Sequence, residues 1–254
     1  MTPSTQPRVI FITGTDTGVG KTVLTSLLLC YLRRAGCRAL AMKPFCSGSR
    51  ADAKLLHALQ DGELTLDELN PFYFPEPVAP VVAARKDGRS IRLRDVLARI
   101  QAVASREVAG PKSKINQNVL IIEGSGGLLV PLAEGFDVRA LIRSLRCEVL
   151  VVARNRLGTI NHTLLTVQAL QTTALHAAHV PQRASRPPPS RPKVVLMNPR
   201  TRDYSSSSNA AILTELLSPV PLLTLPFLGP RCCTPTAIKK SVPRAKETLE
   251  QILF

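Results

Sequence analysis

The strongest indication of the fold is the sequence "VIFITGTDTGVGKT" at residues 9–22. It begins as an apolar, β-branched run and continues as a glycine-punctuated loop that ends in Gly-Lys-Thr. The common phosphate-binding pattern G-x-x-x-x-G-K-[ST] has four residues between its glycines, whereas residues 15–19 place five between Gly14 and Gly20. A strand, a glycine loop and a helix start in this order predict a site where loop N–H groups and the positive helix end hold a phosphate.

The end of this loop predicts a bound nucleotide and a metal ion. Lys21 would reach the β- and γ-phosphates, and the Thr22 hydroxyl would ligate Mg²⁺. A plain strand-to-helix turn would need none of these residues together with the two flanking glycines. The predicted nucleotide-binding residues of the loop are Gly14, Thr15, Asp16, Thr17, Gly18, Val19, Gly20, Lys21 and Thr22.

Short β-branched runs alternate with helical patterns along the rest of the chain, which is typical of βαβ units. The predicted strands are Val9–Thr13, Arg38–Met42, Val119–Ile122, Val149–Ala153, Val194–Met197 and Leu222–Leu225. The predicted helices are Thr22–Ala35, Ala51–Leu59, Leu93–Val108, Val138–Leu145, Thr159–Leu175 and Asn209–Leu217. Because the strands are apolar almost throughout, helices should cover both faces. The sequence therefore predicts an α/β fold of the phosphate-loop NTPase kind, with a mostly parallel sheet.

Residues 1–254 fit a single domain, since roughly 150 residues per domain is only a soft guide. Residues 1–7 form a short polar tail with no room for a signal peptide. Asn70–Pro80 contains four prolines and predicts an extended excursion. Pro181–Pro192 contains five prolines and three arginines and predicts an inserted basic loop.

The amino-acid composition limits the classes of partner that the protein can have. There are 33 Lys and Arg against 18 Asp and Glu, a net charge of +15, which favours acidic partners ranging from nucleotides to nucleic acid. Aromatic residues make up only 4% of the chain, which is little for base stacking on single strands. No apolar run reaches the roughly 18 residues that span a membrane, and six cysteines without CxxC spacing predict reduced thiols. We expect a cytoplasmic protein with dispersed charge, no specific nucleic-acid partner and no membrane association.

Polar residues follow the predicted strands at the carboxyl edge of the sheet, where open α/β folds bind ligands. Lys43 and Ser47 follow the second strand, and Asp52 lies at the next helix start. Glu123 ends the third strand, the position at which phosphate-loop enzymes place an acidic Mg²⁺ ligand. The segment 158–161 opens a helix whose free N–H groups could hold a carboxylate.

These motifs together resemble the dethiobiotin synthetase family. The loop of that family reads G-T-D-T-x-V-G-K-T, with the extra residue noted above, and Gly18 fills its variable position here. The resemblance continues through "KPFCSGS", "NPFYFPEPVAP", "EGSGGLLVPL", "LGTINHTLLT" and "MNPR". It covers residues 8 to 228 in order, and the set of motifs is far more specific than the loop alone.

The resemblance implies a homodimer whose seven-stranded, mostly parallel sheet is flanked by helices. It implies ATP, Mg²⁺, 7,8-diaminononanoate and CO2 as the molecules bound. CO2 adds to one amine, ATP phosphorylates the carbamate, and the second amine closes the ureido ring with release of ADP and phosphate.

The same resemblance assigns roles to single residues. Lys21 and Lys43 would be catalytic, and Thr22, Asp52 and Glu123 would hold Mg²⁺. Further nucleotide contacts would come from Glu123, Gly124, Asn198, Pro226, Phe227 and Leu228, with Asn198 on the adenine. Substrate contacts would come from Thr17, Lys43, Ser47, Gly126, Gly158, Thr159, Ile160 and Asn161, the last four binding the carboxylate across the dimer interface.

Two departures from the family pattern concern the nucleotide. Gly18 occupies a position that is often acidic in the family. After Leu228 this chain reads "GPRCC" where an acidic residue is expected. Recognition of adenine and ribose around residues 226–231, and hence nucleotide selectivity, stays open.

Two other classes of protein have a similar loop and give alternative interpretations of the function. Cobyrinate-type amidoligases activate carboxylates with ATP, but they carry a glutaminase domain for which 254 residues leave no room. Partition-type ATPases dimerise on membranes or DNA, and the net charge of +15 is compatible with that behaviour. Their loop has an early lysine where this chain has Asp16, and Lys239–Phe254 looks too short and mixed for a membrane helix.

Overall fold

A computed structural model of the protein describes residues 7–106, 118–172, 191–201, 203–230 and 232–254. Within these residues a six-stranded sheet forms the centre, and every neighbouring pair of its strands is parallel. In chain order its strands are β1 (Arg8–Gly14), β2 (Ala39–Met42), β5 (Val119–Glu123), β8 (Glu148–Arg154), β9 (Lys193–Met197) and β10 (Leu222–Leu225). The spatial order is β10-β9-β8-β1-β5-β2. All six predicted strands are confirmed, while the described residues hold six strands in this sheet rather than seven.

Two small sheets and the helices complete the described structure. One small sheet pairs β3 (Phe45–Ser47) with β4 (Phe72–Phe74), and the other pairs β6 (Pro131–Ala133) with β7 (Phe136–Asp137). The helices are α1 (Lys21–Arg34), α2 (Ala51–Leu59), α3 (Leu66–Leu69), α4 (Pro80–Lys86), α5 (Leu93–Ala104), α6 (Val138–Leu145), α7 (Thr159–Gln171), α8 (Asn209–Leu217) and α9 (Pro235–Leu253). Every residue of β2 and β5 is buried, so both faces of the sheet are covered.

The C-terminal helix, which covers most of residues 239–254, is an addition to the predicted helices. Helix α9 runs for 19 residues, with Pro243 in its interior. Its apolar stripe of Ile238, Val242, Leu249 and Ile252 is buried in the core. The spacing of these residues is helical, and their burial stabilises the helix although Pro243 contributes no backbone N–H.

The proline-rich excursion contains more regular structure than predicted. Strand β4 lies inside Asn70–Pro80, and Pro80 is the first residue of helix α4, a position where the missing N–H of proline costs nothing. Residues 1–6, the stretch 181–190 of the basic loop, Arg231 and the predicted helix ends at Val108 and Leu175 lie outside the described residues.

The structure bears on two sequence-based expectations, membrane association and the state of the cysteines. Among the described residues no helix is long and apolar enough to cross a membrane. All six cysteines are free thiols, five of them buried, in agreement with the predicted absence of disulfides.

Candidate active site

The strand register brings the predicted site residues to one edge of the sheet. Ile12 pairs with Glu123, and Met42 pairs with Ile122. On the other side Gly14 pairs with Val152. The loops that follow β1, β2, β5, β8 and β9 therefore all begin at the carboxyl edge, where parallel α/β sheets bind ligands.

The phosphate loop depends on two glycines. A Cβ on Gly14 would lie 2.7 Å from Val19 Cγ2, so the loop could not fold as tightly around a side chain there. Gly20 adopts φ +108°, a backbone conformation that glycine adopts readily and residues with a side chain rarely adopt. Gly20 directly precedes α1, which leaves the first N–H groups of that helix facing the loop.

Lys21 is folded back over this loop. Its Nζ donates to the Asp16 carbonyl oxygen at 2.8 Å, and the residue is buried. Burial, opposed by the Glu123 carboxylate and reinforced by the positive charge of Lys43, lowers the pKa of Lys21 to about 8. The loop therefore holds a cation that titrates close to physiological pH.

This pKa predicts how nucleotide binding responds to pH. Below pH 8 Lys21 is an ammonium that attracts phosphates, and above pH 8 it becomes a neutral amine in the free protein. We expect the dissociation constant of ADP, measured calorimetrically, to be about tenfold larger at pH 9 than at pH 7. Lys21→Arg, which keeps its charge over this range, is the matched control and should show a flat profile. A wild-type affinity that does not change between pH 7 and 9 would contradict the prediction.

Lys43 lies between the two predicted acidic residues. Its Nζ is 2.5 Å from Asp52 Oδ2 and 2.7 Å from Glu123 Oε1. Burial by itself lowers the pKa of Lys43, but the two carboxylates outweigh it and raise the pKa above its ordinary value. Lys43 is thus a permanent cation, whereas Lys21 is a titratable one.

Glu123 connects this lysine to the phosphate loop. The Glu123 carboxylate is fully buried, and its Oε1 also accepts a hydrogen bond of 2.7 Å from Thr22 Oγ1. Its other oxygen, Oε2, is buried with no hydrogen-bond partner among the described residues. A buried carboxylate oxygen without a partner is costly and is therefore a candidate ligand position.

The predicted substrate-contact residues lie in three further parts of the site. Ser47 Oγ and Thr159 Oγ1 are buried and have no hydrogen-bond partner in the described part of the chain. Gly158, at φ +89°, directly precedes helix α7, so the segment 158–161 does open a helix as predicted. Gly126 lies close to the loop, since a Cβ there would lie 3.6 Å from Thr17 Oγ1.

Supporting residues around Lys43 were missed by the sequence reasoning. Asn70 is buried, and its Nδ2 donates to the Lys43 carbonyl oxygen at 2.8 Å. Arg50 in turn donates to Asn70 Oδ1 at 2.9 Å. The sequence assigns Asn70 no role within the motif "NPF", although this asparagine fixes the backbone that carries Lys43.

Comparisons with known proteins decide the family. A family model described as an AAA domain matches residues 8–183. A curated ATP-dependent dethiobiotin synthetase from Anaeromyxobacter dehalogenans (strain 2CP-C) is 38% identical over 224 residues, which cover 87% of this chain and 90% of the relative. The chain belongs to the ATP-dependent dethiobiotin synthetase family. It is therefore an ATP-dependent ligase of biotin biosynthesis that forms C–N bonds.

Other relatives agree with this assignment. The dethiobiotin synthetase of Anaeromyxobacter sp. (strain Fw109-5) is 45% identical over 172 residues, 66% of this chain and 73% of the relative. That of Bacillus subtilis (strain 168) is 36% identical over 178 residues, 68% and 73% of the two chains. A ParA family ATPase from Chlorobium tepidum TLS shares the fold at a TM-score of 0.54, with 14% identity over 99% of both chains. This last likeness concerns the fold alone.

Proposed function

We propose that the site at the carboxyl edge closes the ureido ring of dethiobiotin from 7,8-diaminononanoate, CO2 and ATP. The observation that carries the proposal is the convergence of the phosphate loop with Lys43 and Glu123, whose charged atoms are 2.7 Å apart. A phosphate loop alone would serve an ATPase. A second, permanently charged lysine beside it suits the transfer of phosphate to an anionic acceptor.

In the proposed mechanism the reaction proceeds in three steps. One amine of the diamine attacks CO2 and loses a proton, which gives a carbamate. A carbamate oxygen takes the γ-phosphoryl group of ATP, so ADP leaves and a mixed anhydride forms. The second amine attacks the carbonyl carbon of that anhydride, loses a proton and expels phosphate as the five-membered ring closes.

The two lysines divide the electrostatic work. Lys21, in the loop, binds the β- and γ-phosphates, and Lys43 faces the carbamate and the phosphoryl group in transit. Negative charge accumulates on the phosphoryl oxygens during transfer, and preorganised cations in a dry site stabilise it best. Asp52 and Glu123 hold Lys43 in place before the substrates arrive.

Oxygen atoms of Thr22, Asp52 and Glu123 fit a Mg²⁺ ion. The unpartnered Glu123 Oε2 supports this assignment, and Mg²⁺ typically binds one or two carboxylates together with substrate phosphates and water. The described residues contain no cluster of three His, Cys, Asp or Glu side chains that could hold a metal, so phosphates and water would supply the remaining ligands. The ion supplies positive charge to the phosphate oxygens when bound.

The remaining contacts follow the edge of the sheet. In the proposal the buried hydroxyl of Ser47 and the hydroxyl of Thr17 contact the diamine, together with Gly126. The helix start at 158–161 receives the substrate carboxylate of the partner protomer. Asn198, Gly124 and the segment 226–228 contact the nucleotide.

We also propose a homodimer that is assembled around this helix start. Leu157 is 80% exposed immediately before it, and Leu165 is 57% exposed on the same helix. Leu157→Asp should reduce the mass measured by light scattering from twice the 27.5 kDa chain mass to one chain mass, with loss of activity. Phe254→Asp, which changes an equally exposed residue at 79%, is the control. A monomeric mass for active wild-type protein would contradict the proposal.

The proposal further includes a single domain, a cytoplasmic location and the absence of a specific nucleic-acid partner. Free cysteines suit a reducing compartment. Any residual binding to nucleic acid should weaken steeply with salt, because counterion release drives it.

A direct assay tests the function. Purified protein is incubated with 7,8-diaminononanoate, ¹³C-bicarbonate and Mg-ATP, and the products are analysed by mass spectrometry. We expect dethiobiotin that carries one ¹³C atom, with one phosphate released per ring closed. Phosphate release that does not depend on the diamine would instead indicate a partition-type ATPase.

A further inference from the structure

Asn198, the proposed contact to the base, is the end of a hydrogen-bonded chain of three side-chain carboxamides. Asn155 follows strand β8, Asn198 follows strand β9, and Asn209 begins helix α8. Asn155 Nδ2 donates to Asn198 Oδ1 at 2.8 Å, and Asn209 Nδ2 donates to Asn155 Oδ1 at 2.9 Å. Asn155 and Asn209 are each only 3% exposed.

Backbone carbonyls fix the direction of this chain. Asn155 Nδ2 also donates to the Ser206 carbonyl oxygen at 3.0 Å, and Asn209 Nδ2 also donates to the Arg156 carbonyl oxygen at 3.3 Å. A carbonyl can only accept, so the nitrogen of each amide must face it. Both hydrogens of Asn155 Nδ2 are then used, and Asn198 must present its oxygen to Asn155.

Reversing the chain would be costly. An inverted Asn155 would place its oxygen against the Ser206 carbonyl and leave buried donors without acceptors, and each unsatisfied buried group is unfavourable. The backbone around the chain is itself tied down, because Asn155 N donates to the Met197 carbonyl oxygen and Asn198 N to the Leu225 carbonyl oxygen, both at 2.9 Å. The amide orientation of Asn198 is thus set by its hydrogen bond from Asn155, which Asn209 and the Ser206 carbonyl oxygen hold in turn.

We infer that Asn155 is a positioning residue that locks the carboxamide of Asn198 and so makes the site favour a purine with an amino group at position 6. This inference rests on the proposed contact between Asn198 and the base. The locked amide offers an N–H donor beside an oxygen that retains one lone pair. Adenine matches it with a ring-nitrogen acceptor beside its 6-amino donor, whereas guanine carries an acceptor at position 6.

The test compares nucleotide preference across variants. Asn155→Asp keeps the shape and the acceptor for Asn209, but its carboxylate cannot donate, so Asn198 must turn its nitrogen toward it. We expect the ratio of kcat/KM for ATP to that for GTP to fall about tenfold, with Asn155→Ala as a second variant. Ser207→Ala, in the same turn as Ser206 and exposed, removes a hydroxyl that donates to the Tyr204 carbonyl oxygen and should leave the ratio unchanged.

Combining Asn198→Ala with Asn155→Asp separates the role of Asn155 from the proposed contact between Asn198 and the base. Asn198→Ala should lower the ratio by itself, and adding Asn155→Asp should lower it no further, since the two residues act as one unit. A lowered ratio in Asn198→Ala with an unchanged ratio in both Asn155 variants would overturn the inference and leave the base contact standing. An unchanged ratio in Asn198→Ala would overturn both.

A measurement on the wild-type protein covers the case in which the Asn155 variants fail to fold. Purine riboside triphosphate lacks the 6-amino group and keeps the ring nitrogens of adenine. We expect wild-type kcat/KM for it to be about tenfold below that for ATP. Equal use of the two nucleotides would overturn the inference.

Discussion

Replacing Lys43 by methionine is expected to lower kcat by about 10²–10³, the size seen when one preorganised electrostatic group is removed. Its Nζ is held by the Asp52 and Glu123 carboxylates, whereas Lys21 Nζ is held by the loop backbone, so ADP affinity should stay within a few-fold of the wild type. An interaction that is stronger in the transition state than in the ground state changes kcat rather than binding. Steady-state kinetics and calorimetric titration with ADP measure the two quantities separately.

Comparison with the loop lysine makes this prediction specific. Lys21→Ala should weaken nucleotide binding and turnover together, because Lys21 belongs to the loop. Lys43→Arg should rescue only in part, since a planar guanidinium does not replace a compact ammonium between two carboxylates. Equal losses of ADP affinity in Lys43→Met and Lys21→Ala would assign Lys43 to the nucleotide site, and unchanged turnover in Lys43→Met would remove it from the reaction.

A matched control separates charge removal from general destabilisation. Lys193→Met removes a partly buried lysine whose Nζ donates to two carbonyl oxygens of helix α9, at 2.7 and 3.0 Å. Lys193 is the first residue of its strand and therefore lies at the opposite edge of the sheet. We expect this variant to lose stability in a thermal melt while kcat stays near the wild-type value.

The residues at the carboxyl edge of the sheet could be predicted, because their position depends on the local order of apolar and polar residues. Apolar runs mark the strands, and a polar residue directly after such a run lies at the carboxyl edge of a parallel sheet. Lys43 and Glu123 were placed there in this way, 80 positions apart in the chain. The ion pair between them was not predicted, because it depends on the β2–β5 pairing that aligns Met42 with Ile122.

Two other features required the folded structure. Helix α9 was missed because Pro243 interrupts a mixed sequence, and only the burial of its apolar stripe against the core shows why it forms. The carboxamide chain was missed because Asn155 meets Asn198 and Asn209 across 43 and 54 positions. Long-range hydrogen bonds between neutral side chains leave no periodic signal in a sequence.

Glu123 combines the two halves of the site, and its neutralisation should have an effect as large as that at Lys43. The carboxylate bonds both Thr22 and Lys43 through Oε1, at 2.7 Å each. Glu123→Gln keeps the shape of the side chain, but it removes the negative charge that attracts Lys21 and Lys43. It also offers one amide oxygen in place of two carboxylate oxygens. Asp52 still pairs with Lys43, so the buried ammonium is not left alone and the protein should fold.

We expect Glu123→Gln to lower kcat by about 10²–10³ and to raise the Mg²⁺ concentration needed for half-maximal activity. Glu148→Gln is the matched control, because Glu148 begins strand β8 at the opposite edge and pairs with Arg8, at 2.6 and 2.8 Å. That partly buried pair is expected to contribute about 1 kcal/mol of stability, which the variant should lose with kcat unchanged. A Glu123→Gln enzyme with wild-type kcat and an unaltered Mg²⁺ requirement would show that Glu123 only holds Lys43 in place, a task that Asp52 can perform without it.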